Sequence, residues 1–302
     1  MNYVIRILYY SSLFFGLFSF LEIKPEIQKP HDSPYLSSEK VEHWILIHGT
    51  FARALPWYKK GGSGYEALSQ ALAHSKERKF TIRPFLWSSY NNHPARIKAA
   101  QELVELLQQI SVNKYHTIHI VAHSHGGTVA LLAADLLASS SQQSAEQPLL
   151  KIHELFALGM PVHADWYPQA WDSIETTYHL FSYGDFVQPV FTMFERMLPE
   201  HPNVYNLPVK KNNEGLWHET LRSAEILMQL PTLHTLFLEK DTYCLHLDTK
   251  TQDTPFFTVS RYSTEEKEKD RAIDQAYIKQ ILNLYAETRK FKSDSFAPKT
   301  TA

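Results

Sequence analysis

The chain reads as an α/β protein, a mostly parallel central sheet flanked by helices, with an N-terminal hydrophobic helix and a C-terminal strand and helix extension. Three observations predict this. The run Ile118 to Ala130 joins an apolar, β-branched strand to a helix that is apolar on nearly every face, as a helix covered on both sides must be. Further strand-like runs recur at Val41–Ile47, Ile152–Leu158, Thr176–Tyr183 and Val204–Val209, each followed by a loop containing Gly, Asp, Asn or His. The 302-residue length and 44% hydrophobic share suit one α/β domain of sizeable core with appendages.

Taken in order, the chain opens on a separate element. Met1 to Arg6 carries one arginine, and Ile7 to Ile23 is apolar or small apart from Glu22. As a helix, 7–23 would span ~25 Å, just short of the ~30 Å hydrocarbon core of a bilayer. Residues 1–23 are therefore expected to be a signal peptide or membrane anchor. Arg6 on the near side favours a cytoplasmic N-terminus and a domain delivered beyond the membrane. Residues 24–40, with Pro25, Pro30 and Pro34, read as a linker, and 41–230 as the core. Ser139 to Gln147 is expected as a polar loop after the apolar helix. Residues 231–292 form an extension with strands at Tyr243–Leu247 and Phe256–Ser260. Its helical stripe Ile273, Tyr277, Ile281 and Leu284 is expected to pack on the core, and Glu265–Arg271 to be its solvated start. Residues 293–302 are expected to be a disordered tail.

The chemistry concentrates in His123-Ser124-His125-Gly126-Gly127. A serine in a sharp strand-to-helix turn takes a strained backbone that holds its hydroxyl clear of both elements, and small neighbours are needed for steric reasons. Gly126 supplies one, while Ala122 stands where the G-x-S-x-G pattern has its first glycine. A serine hydroxyl is a weak nucleophile and needs a base, which in turn needs an acid to hold its tautomer. Asp185 falls just past the strand 176–183, and His218 opens a helix after the last core strand, in the chain order Ser, Asp, His. Asp172 and Asp165 rank below Asp185 because they precede the strand that would deliver the carboxylate. Backbone N–H groups of Thr50 or Phe51, in the loop after the first strand, together with that of His125, are positioned to bind a developing oxyanion. His48, Trp87, Trp166 and Trp217 are candidates for the substrate wall. For the His48 side chain itself a structural hydrogen bond is the favoured role, the loop's backbone carrying the chemistry.

Composition excludes several alternatives. A net charge of −2 gives no case for nucleic acid. The single cysteine, Cys244, excludes an intrachain disulfide, and its place in a strand makes it a poor nucleophile candidate. Sixteen histidines invite a metal reading. Yet His116 and His119 point to opposite faces of one strand and His123 and His125 flank the serine, so no spacing matches a closed zinc site and no metal is expected.

From about Val41 to about Gln229 the chain resembles the α/β-hydrolase superfamily, and within it the lipase-like bacterial serine hydrolases with an H-S-H-G-G elbow. The supporting residues are His48-Gly49-Thr50, Trp57 to Ser63, Phe85-Leu86-Trp87-Ser88 with Asn91, Asn92 and Arg96, the elbow itself, Leu158-Gly159-Met160-Pro161-Val162 and Tyr183-Gly184-Asp185-Phe186-Val187. Ala122 and Met160 depart from the pattern, the latter where relatives often have threonine. The resemblance implies hydrolysis of an ester or lipid-like small molecule through an acyl-serine, without metal or organic cofactor. Acyl transfer and thioester hydrolysis use the same triad, and a non-catalytic binding module keeps the same fold.

Overall fold

The computed structural model describes residues 40–74, 79–111, 115–141, 150–162, 170–185, 196–212, 214–235, 243–248 and 256–273, with Val187, Gln275, Ala276, Lys279 and Asn283. The signal or anchor segment, nearly all of the linker, and the tail lie outside these residues, as do Asp165 and Trp166. Among the described residues no helix is long and apolar enough to cross a membrane.

The sheet is built from β1 (Val41–Ile47), β2 (Lys79–Phe85), β3 (His116–His123), β4 (Ile152–Leu158), β5 (Ile174–Phe181), β6 (Val204–Lys211), β7 (Glu214–Gly215), β8 (Tyr243–Asp248) and β9 (Phe256–Arg261). Strands run in the order β2-β1-β3-β4-β5-β6-β8-β9. All pairings from β2 to β8 are parallel; β9 is antiparallel to β8, and the short β7 folds back antiparallel on β6. Strands of a parallel sheet covered on both faces carry near-continuous apolar runs. In β1, Ile45 and Ile47 join one core with Ala99, Leu103 and Leu107 of α2 (His93–Ser111) and Val129 to Ala134 of α3 (His125–Ser141). Trp44 and Leu46 join the opposite core with Leu68 and Leu72 of α1 (Ser63–Ala73) and with Ile226 and Leu227 of α4 (Ala224–Leu227).

Several elements differ from the sequence reading, each for a local reason. β2 is an edge strand, so its alternation of polar and apolar residues and its Pro84 cost no ladder bond and leave no apolar run to read. Ser139 to Ser141 continue α3 where a loop was expected. The Ser139 and Ser140 hydroxyls donate to the carbonyls of Asp135 and Leu137, turning polar side chains back onto their own helix. In the charged segment, Asp270 is not solvated: it is buried against Lys210 of β6 at 2.9 Å and accepts the Tyr262 hydroxyl at 2.7 Å. Ile273 is exposed, contrary to the expected stripe, and the other stripe positions Tyr277, Ile281 and Leu284 lie outside the described residues.

One feature of the topology places a site. The chain leaves β1 for β2 on one side and returns to β3 on the other. The order therefore reverses between β1 and β3, and it is at the carboxyl ends flanking such a reversal that open α/β sheets bind ligands.

Candidate active site

These two strands lead into His48-Gly49-Thr50 and into Ser124. Ser124 has φ of 54°, a left-handed backbone that serine adopts at a cost of roughly 1–3 kcal/mol. Its N–H donates to Leu158 O of β4 at 2.9 Å, which fixes the turn against the neighbouring strand. The turn is tight enough that a Cβ on Gly126 would lie 2.8 Å from the carbonyl oxygens of both Ile47 and His48. Only glycine fits there. A Cβ at Gly49 would lie 2.7 Å from Ser124 Cβ, so the loop after β1 runs directly beside the serine.

Asp185 and His218 come from the loops after β5 and β7 and meet at this edge. His218 Nδ1 lies 2.7 Å from Asp185 Oδ2. A carboxylate accepts, so Nδ1–H donates and Nε2 is left as the proton-accepting nitrogen. Asp185 is fully buried, and its Oδ1 accepts the Val187 N–H at 2.9 Å. Arg196 holds the turn from behind, donating to the carbonyl oxygens of Ser182 and Asp185 at 2.7 Å each. Ser182 Oγ accepts the Leu216 N–H at 2.6 Å, lacing the acid's loop to the segment that leads into His218. Gly159, just after β4, has φ of +58°, and a Cβ there would sit 3.1 Å from both Asp185 Oδ2 and His218 Nδ1. Because Ser124 bonds to the preceding residue, Leu158, the serine and the His–Asp pair flank one strand end. Asp172 is exposed in a short 3-10 turn at the opposite, amino end of β5, away from this edge.

The remaining candidates divide. Thr50 Oγ1 is 3.0 Å from His125 Nδ1, linking the two loops whose amides were expected to bind an oxyanion. His125 is the first residue of α3, where N–H groups point out of the positive end of the helix. The Phe51 N–H instead donates to Ser89 O at 3.0 Å, which withdraws it from that role. His48 and Trp87 brace the loop. Both are buried; His48 Nδ1 donates to Gly49 O at 2.9 Å, and the Trp87 indole donates to His48 O at 2.8 Å. Burial pushes the His48 pKa down to about 4, so the ring is a neutral brace for its loop. Trp217, beside His218, is half exposed and faces solvent. Met160 is fully buried, its sulfur 2.5 Å from where a Cβ on Gly127 would be, so it packs the helix start.

His116 and His119 do take opposite faces: the first contacts His43 at 3.1 Å, the second Glu154 at 2.8 Å. Among the described residues no three His, Cys, Asp or Glu side chains converge as metal ligands would. Burial pushes the Cys244 thiol up to about 12, which suppresses its thiolate. The sequence reading missed Gly159, Ser182, Arg196 and His123 as supports of the site. Gly159 and His123 stood within recognised signatures; Ser182 and Arg196 gave no separate signal, since their partners lie elsewhere in the chain.

The family model of the alpha/beta hydrolase family matches residues 44–277, and the chain belongs to that family. No curated protein matches the sequence. Among solved structures, a cutinase-like protein from Cryptococcus sp. is 10% identical, with a TM-score of 0.28 over 48% of this chain and 54% of that one. A lipase-esterase related protein from Clostridium acetobutylicum is 14% identical, with a TM-score of 0.26 over 41% and 44%. The metagenomic carboxyl esterase MGS0156 is 12% identical, with a TM-score of 0.28 over 65% and 56%. The chain thus spans about half the length of these proteins. Likenesses this slight carry no weight in assigning chemistry.

Proposed function

We propose that the protein is a serine hydrolase that cleaves a carboxylic ester through an acyl-serine. Ser124 Oγ attacks the ester carbonyl carbon as its proton passes to His218 Nε2. Backbone N–H groups of Thr50 and His125 bind the oxyanion, each such donor being worth about 3 kcal/mol in the transition state. The C–O bond to the alcohol then breaks, and the alcohol leaves with the proton from His218. Water attacks the acyl-serine by the same route, His218 taking its proton and returning it to Ser124. Asp185 stays ionised throughout and holds the Nδ1–H tautomer.

The observation that carries this reading is the 2.7 Å contact between His218 Nδ1 and the buried Asp185, at the strand edge that also presents a serine with φ of 54°. Exposed Phe51 and Trp217, each next in sequence to a site residue, support an apolar acyl group over a charged one. Ser124→Ala is expected to abolish labelling by a fluorophosphonate and to lower ester turnover by about 10⁴- to 10⁶-fold, with the fold intact. Equal labelling of wild type and variant overturns the assignment.

The apolar stretch 7–23 is proposed as an export signal or anchor. A chain beginning at Lys24 is expected to be soluble and active, since the core begins at Val41. The full chain expressed in bacteria is expected in the membrane fraction or trimmed outside the cytoplasm. A soluble full-length chain beside an aggregating shortened one would assign 7–23 to the core.

A further inference from the structure

His123 ends β3 one residue before Ser124, and its side chain turns into the core, 2% exposed. Its Nε2 lies 3.0 Å from the backbone oxygen of His218. A carbonyl oxygen can only accept, so Nε2 carries the proton and Nδ1 is a bare lone pair. That Nδ1 is buried without a hydrogen-bond partner. The ring packs at 4.5 Å on the His218 ring, tilted by 51°, and meets Trp57 edge-on at 6.1 Å. Arg222 covers the same Trp57 ring at 5.8 Å and pairs with Glu219.

A second proton on His123 would place a cationic N–H in the interior beside His218 and Arg222 with nothing to accept it. Burial first, and then those two neighbours, hold its pKa well below the ordinary histidine value. The ring therefore persists in one protonation state and one tautomer.

The consequence falls on His218. Its ring is oriented at Nδ1 by Asp185, but its main chain belongs to a 3-10 turn outside the sheet. The His123 hydrogen bond ties that main chain to the strand whose next residue is Ser124. We propose that His123 is a positioning residue, a neutral Nε2–H imidazole that anchors the His218 backbone and so sets the distance between the proposed nucleophile and its base. This rests on the serine-hydrolase reading above.

The test compares wild type with His123→Gln, whose amide nitrogen reaches to about the same point as Nε2, and with His123→Phe, which keeps a ring and loses the donor. The rate constant for fluorophosphonate labelling is measured against pH. His123→Phe is expected to fall on the order of 10²-fold, the cost of misplacing a reacting group by about 1 Å. Its pH profile should be displaced, because the groups around His218, namely Asp185 after β5 and Arg222 and Glu219 on its own turn, no longer hold it in one place. His123→Gln should recover most of the rate and the wild-type profile. A phenylalanine variant with wild-type rate and profile overturns the inference, and so does a folded glutamine variant as slow as it.

A measurement on the wild-type protein covers the case of a variant that does not fold. ¹⁵N NMR of the imidazoles should show His123 as the neutral Nε2–H tautomer, unchanged from about pH 5 to about pH 9, although free histidine titrates within that range. A titrating His123, or the Nδ1–H tautomer, overturns it. Failure of the enzymatic reading looks different: wild type would then show no Ser124-dependent labelling, whatever the state of His123.

Discussion

Two buried histidine–carboxylate pairs in this molecule have nearly the same geometry and different settings. His218 and Asp185 meet at 2.7 Å, and His119 and Glu154 at 2.8 Å. The second pair joins β3 to β4 in direct register, and Trp44 stacks on the His119 ring at 4.3 Å and 6°. Regular strands hold both of its members, and the indole seals it. The first pair is carried by loops past the strand ends, beside a serine in left-handed backbone and over a glycine whose Cβ would crowd both members at 3.1 Å. A short histidine–carboxylate contact is therefore no mark of a site by itself. What separates the two is irregular backbone at the carboxyl edge of the sheet, which brings a hydroxyl and loop main chain to the same strand ends.

The sharpest way to break this comparison is to neutralise one acid in each pair. Asp185→Asn is expected to lower ester turnover by about 10⁴-fold, by spoiling the tautomer of His218. Glu154→Gln should leave turnover within about twofold and instead lower the unfolding free energy by about 2 kcal/mol, since it removes a charged hydrogen-bond acceptor in the core. Asp172→Asn should change neither. Comparable losses of turnover from Asp185→Asn and Glu154→Gln, measured with the same ester, would erase the distinction drawn between the pairs.

A smaller effect is expected from Gly159→Ala. The added methyl would crowd Asp185 Oδ2 and His218 Nδ1 at 3.1 Å and would strain a backbone at φ +58°. Turnover should fall on the order of 10²-fold from the displaced pair. A variant of full activity would mean that the pair tolerates displacement.

The gentlest perturbation is pH, and it acts on stability. Burial is the leading cause that lowers the pKa of His43, His48 and His179 from 6.5 to about 4. Between those values the unfolded chain binds protons that the folded one refuses, so unfolding becomes easier as pH falls. Stability from these rings should be fully present above pH 6.5, decline toward about pH 4 and then level off. Urea unfolding at a series of pH values checks the sign; a protein that gains stability on acidification through this window would contradict it.

The sequence by itself determined the architecture and the position of the strained serine turn. Strands covered on both faces must be apolar throughout, so β1 and β4 were legible to the residue. The elbow was legible because a serine turn packed between a strand and a helix demands small residues at fixed offsets, as Gly126 shows. Edge strand β2 was hidden because a half-solvated strand needs no apolar run, and the helical reach of Ser139–Ser141 because hydroxyl back-bonding has no compositional signature.

Only the tertiary structure decided which candidates meet at one strand edge and which brace it. Local pattern records what a residue does to its own stretch of backbone, whereas His48, Trp87, Phe51 and Asp270 acquired their roles from partners elsewhere in the fold. Phe51 shows this most directly: its amide lies in the expected loop, yet Ser89 O, 38 residues further along, claims the hydrogen bond. Gly159, Arg196 and His123 support the Asp185–His218 pair in the same way, through contacts made only when separate strand ends are brought to one edge of the sheet.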